Sequence, residues 1–439
     1  MNVYDSDRVR TALIRRGWLE ASEDDAEIVV FTGCSVRGHA ERKVWSELGR
    51  YEPGWRKNKR PYVALTGCIA QSLGDKVFAR YPWVRLISGP RHIGLLPDAL
   101  TRVMENGSRV NLLDEDPSEF CDLDEYSQAR GNVYRAYVTI AHGCDNFCSY
   151  CIVPYVRGRF ISRRPESILN EITSLVKSGA KEITLLGQNV NSYGSDFQKH
   201  APDLADYDFA TLLRAVARAE GVELVRFVTS LPQDFTEKIV DVMVSEPNVA
   251  PSLNLPIQSG SDRILKLMNR KYTRQDYIEK VRMIRSRIPD IGLASDLIVG
   301  FPGETEQDFE DSMSVLSELR FDLLHSAAYS ERAGTPASAM PGALPQDTRM
   351  ERLNRVNALQ DSITLSINQS LVGRRYRLLV DSSNGRLLQG RTPTDKVTLL
   401  ENSSEDAGII GQFVDVEITE GKSWCLKGRV INVKEEART

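Results

Sequence analysis

The stretch Ala136-Tyr137-Val138-Thr139-Ile140-Ala141-His142-Gly143-Cys144-Asp145-Asn146-Phe147-Cys148-Ser149-Tyr150-Cys151 decides the fold. Its first five residues form an apolar, β-branched run that reads as a strand. Three thiols follow on one loop, spaced C-x₃-C-x₂-C. A four-iron cubane takes four ligands, so three cysteines leave one iron open. An open position can bind a second molecule, as in any catalytic metal site. The alternative is a structural zinc site that adds His142 to the same cysteines. Such sites pair C-x₂-C with a second ligand pair some distance away, and the sequence offers none.

Downstream, strand patterns alternate with helical ones. The strand candidates after Ala136–Ile140 are Glu182–Leu186, Leu224–Thr229, Ser252–Leu255, Gly292–Val299 and Phe321–Tyr329. Six βα repeats predict a parallel, barrel-like sheet, with ligands at the carboxyl ends of its strands. Glycine-bearing turns fall at those ends: Leu186-Gly187-Gln188-Asn189, Gln258-Ser259-Gly260-Ser261, and Ser295-Asp296 through Gly300-Phe301-Pro302-Gly303-Glu304.

Upstream lies a smaller α/β region. Helices are expected over Asp7–Gly17, Ala40–Leu48 and Leu95–Met104, and strands over Ile28–Phe31, Tyr62–Leu65 and Val84–Ile87. Two of these strands end alike, in Phe31-Thr32-Gly33-Cys34 and Leu65-Thr66-Gly67-Cys68, each before a helical pattern. If the strands are neighbours, the two thiols converge on one crevice, where helix N-termini favour thiolates. Both are read as ligands of a second cluster, although two cysteines are too few for three-point attachment. Cys121 and Cys425 lack this setting and read as free thiols. The acidic stretch Asp114–Asp124 reads as a linker.

Beyond a polar helix over Asp347–Ser366, short strands alternate with turn signals such as Ser383-Asn384-Gly385, a small β-barrel pattern. The expected architecture is therefore α/β. A parallel-sheet domain spans residues 1–107, a partial (β/α)₆ barrel 130–363, and a small antiparallel β-barrel 366–434.

The chain has 439 residues, seven cysteines and a formal net charge of −4. No apolar run reaches the ~20 residues of a membrane helix, and the N-terminus lacks a signal-peptide pattern. A cytoplasmic location is expected, with cysteines serving as metal ligands or free thiols. The acidic balance excludes a globally basic nucleic-acid binder, so an RNA partner must be held by local patches. The C-terminal region, 368–439, carries eleven Lys/Arg against ten Asp/Glu. Candidate phosphate contacts are Arg374, Arg375 and Arg377, then Arg386 and Arg391, the run Arg56–Arg60, and Arg157, Arg159, Arg163 and Arg164 after the cysteine loop.

The cysteine spacing, with Tyr150 before the last cysteine, resembles the radical-SAM superfamily. The whole chain resembles its methylthiotransferases: an N-terminal auxiliary-cluster domain, a radical-SAM core and an RNA-gripping TRAM domain. Cys34-Ser35-Val36-Arg37 with Ala40-Glu41-Arg42-Lys43, Gly187 to Tyr193, Arg226-Phe227-Val228-Thr229-Ser230 and Leu255 to Asp262 resemble the MiaB branch, which modifies tRNA.

The resemblance implies two [4Fe–4S] clusters, one on Cys144, Cys148 and Cys151 and an auxiliary one on Cys34 and Cys68. It implies S-adenosyl-L-methionine as cofactor, contacted by Tyr150, Gly187, Gln188, Asn189, Gln258, Asp296 and Gly300. The implied reaction places a methylthio group on C2 of N6-isopentenyladenosine next to the anticodon. It requires an electron donor, and a monomer is expected. Alternatives are the same chemistry on a ribosomal-protein side chain or on threonylcarbamoyl-adenosine, and a zinc-bearing RNA-binding protein. Family members carry a further N-terminal cysteine, in a Gly-Cys-Gln-Met-Asn type of segment upstream of Tyr-Asp-Ser. This chain begins Met1-Asn2-Val3-Tyr4-Asp5-Ser6, without that segment. A start upstream of Met1 is expected, because a doubly wound domain seldom survives loss of a strand.

Overall fold

A computed structural model describes residues 2–34, 38–113, 133–401 and 408–433. These fall in two compact units. The first is drawn from Met1–Arg130, Tyr137–Phe147 and Cys151–Glu171, and the second from Gly131–Ala136, Cys148–Tyr150 and Ile172–Thr439. The acidic linker and Cys121 lie outside the described residues.

The first unit holds a four-stranded sheet, β1 (Ile28–Thr32), β2 (Tyr62–Thr66), β3 (Val84–Ser88) and β4 (Val110–Leu112), in that order. All three pairings are parallel. Alternation along β2 sends Val63 and Leu65 to one apolar core and Ala64 to the other. Both faces are therefore covered, as parallel sheets require. Helices Asn2–Arg15 and Leu96–Asn106 supply the second face with Val9, Ala12, Leu100 and Val103. β4 lies past residue 107, where the sequence pattern ends this domain; its three residues are too few for a period-2 signal. All five residues of β1 stay partly exposed, beside a groove of about 1040 Å³ lined by Val9, Leu13, Trp18, Val29 and Phe31.

The six expected core strands are present as β5 (Arg135–Thr139), β8 (Glu182–Leu186), β9 (Leu224–Phe227), β10 (Ser252–Asn254), β11 (Gly292–Val299) and β12 (Leu323–Ala328). A two-residue ladder, β6 (Ala141–His142) with β7 (Ile161–Ser162), brackets the cysteine loop. The six strands form two three-stranded sheets, β5-β8-β9 and β10-β11-β12, rather than one continuous ladder. β9 touches the segment leading into β10 by a single bridge, Val225 to Val249.

The last five strands are β13 (Arg375–Ser383), β14 (Leu387–Arg391), β15 (Val397–Glu401), β16 (Phe413–Gly421) and β17 (Leu426–Val433). They close into a barrel ordered β13-β14-β15-β17-β16. Four pairings are antiparallel and β15–β17 is parallel. An all-antiparallel ring needs an even number of strands, so a five-stranded barrel must contain a parallel pair.

The barrel is docked on the amino ends of the core strands. The hairpin turn between β14 and β15 contributes to this contact. Buried Arg226 donates to the Thr392 and Pro393 carbonyls at 2.8 and 2.9 Å, and Lys396 pairs with Asp322 at 2.7 Å. A Cβ at Gly292 would lie 2.5 Å from the Thr394 carbonyl, so only glycine admits the turn.

Candidate functional site

In the first unit, β1 and β2 pair with Thr32 opposite Thr66. Cys34 and Cys68 each follow two residues later, which puts both thiols at one sheet end. The glycines between make this possible. A Cβ on Gly67 would lie 2.9 Å from the Gly33 carbonyl, and one on Gly33 would lie 2.1 Å from Ile69 Cγ2. Cys68 is buried and Cys34 partly exposed.

Arg157 enters this crevice. Its Nε donates to Cys68 Sγ at 3.0 Å, and its Nη2 lies 3.5 Å from Asp5 Oδ2. Burial pushes the Cys68 thiol up, and the Arg157 guanidinium opposes it. The helix that follows, Cys68–Leu73, is only six residues long.

The expected phosphate contact at Arg157 is therefore corrected: a side chain 7% exposed and bonded to Cys68 does not face an RNA backbone. Arg163 is corrected likewise. It is buried against Glu171, Tyr4 and the Thr139 carbonyl. Arg159 and Arg164 do face solvent, each beside an acid, Asp145 and Glu166 respectively.

The cysteine loop is fixed by its backbone. Gly143 adopts φ +72°, and a Cβ there would lie 2.0 Å from the Arg159 carbonyl. Cys144 N–H donates to the Gly158 carbonyl at 3.2 Å, and Asn146 Nδ2 lies 3.3 Å from Cys144 Sγ. In the second unit, Ser149 Oγ donates to the Leu267 carbonyl at 2.7 Å. Ala337 N–H donates to the Ser149 carbonyl at 2.8 Å. Tyr150 packs on the core of Ile264, Met268, Phe301 and Tyr329, with the Arg270 guanidinium over its ring at 5.9 Å. No group of three or more His, Cys, Asp or Glu side chains among the described residues surrounds a single-ion position.

The strand-end turns fall into two contact sets. At the end of β8, Gly187 is buried and Gln188 partly exposed. Asn189 is fully buried, and its Nδ2 donates to Asp234 and Ser192 at 2.5 Å each. At the ends of β10 and β11, Gln258 N–H donates to the Asp296 carbonyl, and Asn254 Nδ2 donates to Asp296 Oδ2 at 3.1 Å. Burial raises the Asp296 carboxyl, against His325, Asn254 and Arg270. Gly300 adopts φ +70°, and its N–H donates to Glu304 Oε2 at 2.7 Å. The same carboxylate accepts from Arg352 at 2.6 Å.

Sequence reasoning missed Asn254, Arg270 and His325. None lies in a glycine turn or a repeated motif; the register of β10–β12 brings Asn254 and His325 to Asp296, and the turn after helix Asp262–Leu267 brings Arg270.

Four buried polar atoms at these strand ends have no hydrogen-bond partner among the described residues: Asn189 Oδ1, Ser230 Oγ, Asn254 Oδ1 and the Tyr329 hydroxyl. Buried polar atoms are normally satisfied. Four left open around one set of strand ends fit a polar ligand such as S-adenosylmethionine. Three cysteines on the loop after β5 fit a cluster with one open iron.

Arg374 pairs with Asp290 at 3.0 Å, Arg377 with Glu223 at 3.2 Å and Arg375 with Glu417 at 3.6 Å. The first two join the barrel to the core. Arg375 and Arg377 also line a cavity of about 450 Å³ with Tyr376, Asp415 and Ile431.

Residues 138–316 match the radical SAM superfamily, 369–431 the TRAM domain, and 1–89 a group described as uncharacterized protein family UPF0004. The fold is similar to that of the radical S-adenosylmethionine methyltransferase TsrM from Kitasatospora setae. The TM-score is 0.55 at 15% identity, over 87% of this chain and 78% of that one. The chain is a radical SAM enzyme that uses a [4Fe–4S] cluster and S-adenosylmethionine.

Sequence relatives narrow the class. The tRNA-2-methylthio-N(6)-dimethylallyladenosine synthase of Caldicellulosiruptor saccharolyticus is 40% identical over 438 residues, 98% of this chain and 90% of that protein. The synthase of the same name from Aquifex aeolicus is 37% identical over 434 residues, covering 99% and 97%. The chain belongs to the tRNA-2-methylthio-N(6)-dimethylallyladenosine synthase family.

Proposed function

We propose that this enzyme methylthiolates C2 of N6-isopentenyladenosine next to the anticodon of tRNA. The observation that carries the reading is the pairing of Cys34 and Cys68 at one sheet end, with Arg157, six residues past Cys151, bonded to Cys68. A chain that makes only the radical has no use for a second thiol pair in that setting. Relatives bearing the synthase name match nearly the whole chain.

When bound, the cluster and S-adenosylmethionine supply a radical able to abstract hydrogen from an unactivated C–H bond. The protein's own residues do the positioning. Gln188 and Asn189 at one strand end, and Gln258, Asp296 and Gly300 at two others, are the proposed cofactor contacts. Asp234 fixes Asn189, and Glu304 fixes the Gly300 turn. The apolar cluster around Met268, Phe301 and Tyr329 shields Tyr150 and the loop that carries Cys148.

Cys34 and Cys68 are proposed as ligands of the auxiliary cluster. The described residues bring two thiols there, one fewer than three-point attachment needs, so no step is derived through that cluster. Arg374 and Arg375 on the barrel are proposed to meet RNA phosphates by exchanging their acidic partners.

Nucleoside analysis of tRNA from a deletion strain, with and without the gene restored, tests the reading. Loss and recovery of the 2-methylthio-N6-isopentenyl nucleoside is expected. An unchanged nucleoside profile overturns it in favour of threonylcarbamoyl-adenosine or a ribosomal-protein side chain. Iron counting after anaerobic purification tests the cluster assignment. Cys34→Ala with Cys68→Ala should lose iron while the Cys144 set keeps its own.

A further inference from the structure

The turn after β11, Gly300 to Glu304, takes support from a helix far along the chain. Within the turn, Gly300 N–H donates to Glu304 Oε2 at 2.7 Å, and Glu304 N–H to the Phe301 carbonyl at 2.9 Å. Helix Gln346–Ser370 then reaches over it. Arg352 Nη1 donates to Glu304 Oε2 at 2.6 Å and to the Glu304 carbonyl at 3.1 Å. Its Nη2 donates to Glu306 Oε2 at 3.0 Å, and the guanidinium lies over the Phe309 ring at 5.3 Å. One turn earlier, Arg349 Nη1 donates to the Tyr329 carbonyl at 2.7 Å. A Cβ at Gly300 would lie 2.3 Å from Arg349 Cγ, so helix and turn are in direct contact.

This helix lies past residue 316, where the match to the radical SAM superfamily ends. It is itself pinned. Gln360 Nε2 donates to the Phe321 carbonyl at 2.8 Å, and Asn368 Nδ2 to the Lys422 carbonyl of the C-terminal barrel at 2.6 Å. Arg352 is therefore a fixed donor rather than a surface side chain that happens to fold over.

The Glu304 side chain is 1% exposed. A buried carboxylate requires an opposite charge, and Arg352 supplies it. Without that charge the carboxylate must take up a proton or turn away. Gly300 N–H then loses its acceptor, and the left-handed φ of +70° at Gly300 loses the bond that holds it.

We propose that Arg352 is a positioning residue for the cofactor: by fixing Glu304 it keeps the Gly300 turn in the shape that receives S-adenosylmethionine, and it touches no reacting atom itself. The proposal rests on the reading of Gly300 and Asp296 as cofactor contacts.

Equilibrium dialysis of S-adenosylmethionine against the iron-loaded full chain, together with steady-state cleavage of S-adenosylmethionine under dithionite, tests this. Arg352→Met keeps the stem against Phe309 and removes the fork. It should weaken binding and raise KM about tenfold, with kcat at saturation within about twofold of wild type. Arg352→Lys, which keeps the charge but not the forked contact, should show the same split at about threefold. Adding Glu304→Gln to Arg352→Met should restore binding, because the amide oxygen still accepts from Gly300 N–H and leaves no unpaired buried charge. Arg282→Met, which breaks the exposed pair with Glu318, should behave as wild type. Iron per chain and the melting temperature are measured on each variant. KM unchanged in both Arg352 variants overturns the proposal. So does a fall in iron and kcat with KM unchanged, which marks a structural ion pair only. Asp296→Asn checks the reading beneath. If it binds S-adenosylmethionine as wild type does, that reading fails whatever the Arg352 variants show; if it binds weakly while the Arg352 variants do not, only the proposal fails.

Discussion

Replacing Arg226 by alanine should undock the C-terminal barrel without disturbing either fold. The guanidinium is 5% exposed and makes four hydrogen bonds: to Glu182 at 3.2 Å, Ser252 at 3.1 Å, and the Pro393 and Thr392 carbonyls at 2.9 and 2.8 Å. Alanine leaves buried Glu182 with Arg135 at 3.3 Å and takes the guanidinium donor from the Pro393 and Thr392 carbonyls, Thr392 keeping the Asp395 N–H at 2.9 Å. Breaking a buried ion pair from one side costs about 3–5 kcal/mol. At 1.4 kcal/mol per tenfold, the docked population falls roughly a hundred- to a few-thousand-fold. The surface pairs Arg374–Asp290 and Arg377–Glu223 recover little of this, because exposed pairs are worth about 0–1 kcal/mol. Limited proteolysis is the direct assay, since Thr392 is buried and Pro393 and Thr394 are half-buried while docked. Arg226→Ala should be cut there quickly, and the barrel should then melt in a separate, earlier transition. A variant with the wild-type cleavage rate and a single transition at the wild-type midpoint refutes the docking argument.

Four other outcomes are expected. Burial pushes the Asp308 carboxyl up, but Arg263, Ser261 and Thr305 outweigh it and hold the group well below the ordinary carboxylate range. A depressed carboxyl contributes stability that is fully present above its unfolded value of about 3.9 and is lost as pH falls from there through the lower folded value. Asp308→Asn should cost about 1–2 kcal/mol at pH 7 and flatten the acid limb of the stability curve below pH ~4. Gly143→Ala forces a left-handed φ, worth roughly 1–2 kcal/mol, onto a position with no room for Cβ, so iron per chain should fall with the melting temperature. Arg159→Glu should reduce the salt slope of tRNA binding by about 0.9 for each phosphate the side chain neutralises in the wild type. Arg157→Gln should leave that slope unchanged and instead destabilise the crevice, seen as a lower urea midpoint.

Some elements were fully legible. The strands Glu182–Leu186 and Gly292–Val299 coincide with their apolar and β-branched runs. The repeated Thr-Gly-Cys endings marked two like strand ends but left open whether the strands are neighbours; β1 and β2 pair in parallel. The arginines were misread for a definite reason. A solvated Arg159 and a buried Arg157 have identical local sequence signals, and they differ only in what the fold brings to them. Asp5 and Cys68, which receive Arg157, lie 152 and 89 positions away along the chain.

The sequence by itself determined which chemistry the chain can host. Cluster ligation depends on thiol number and close spacing, and Cys144, Cys148 and Cys151 meet both within one loop. It also determined the period of each region, because strand and helix patterns are local properties. Only the tertiary structure decided what sits beside each cysteine set. Parallel register sets Cys34 against Cys68 and aligns His325 with Asp296, and burial turns Arg157 and Arg226 into internal partners. These are long-range pairings selected by packing, and no window of neighbouring residues encodes them.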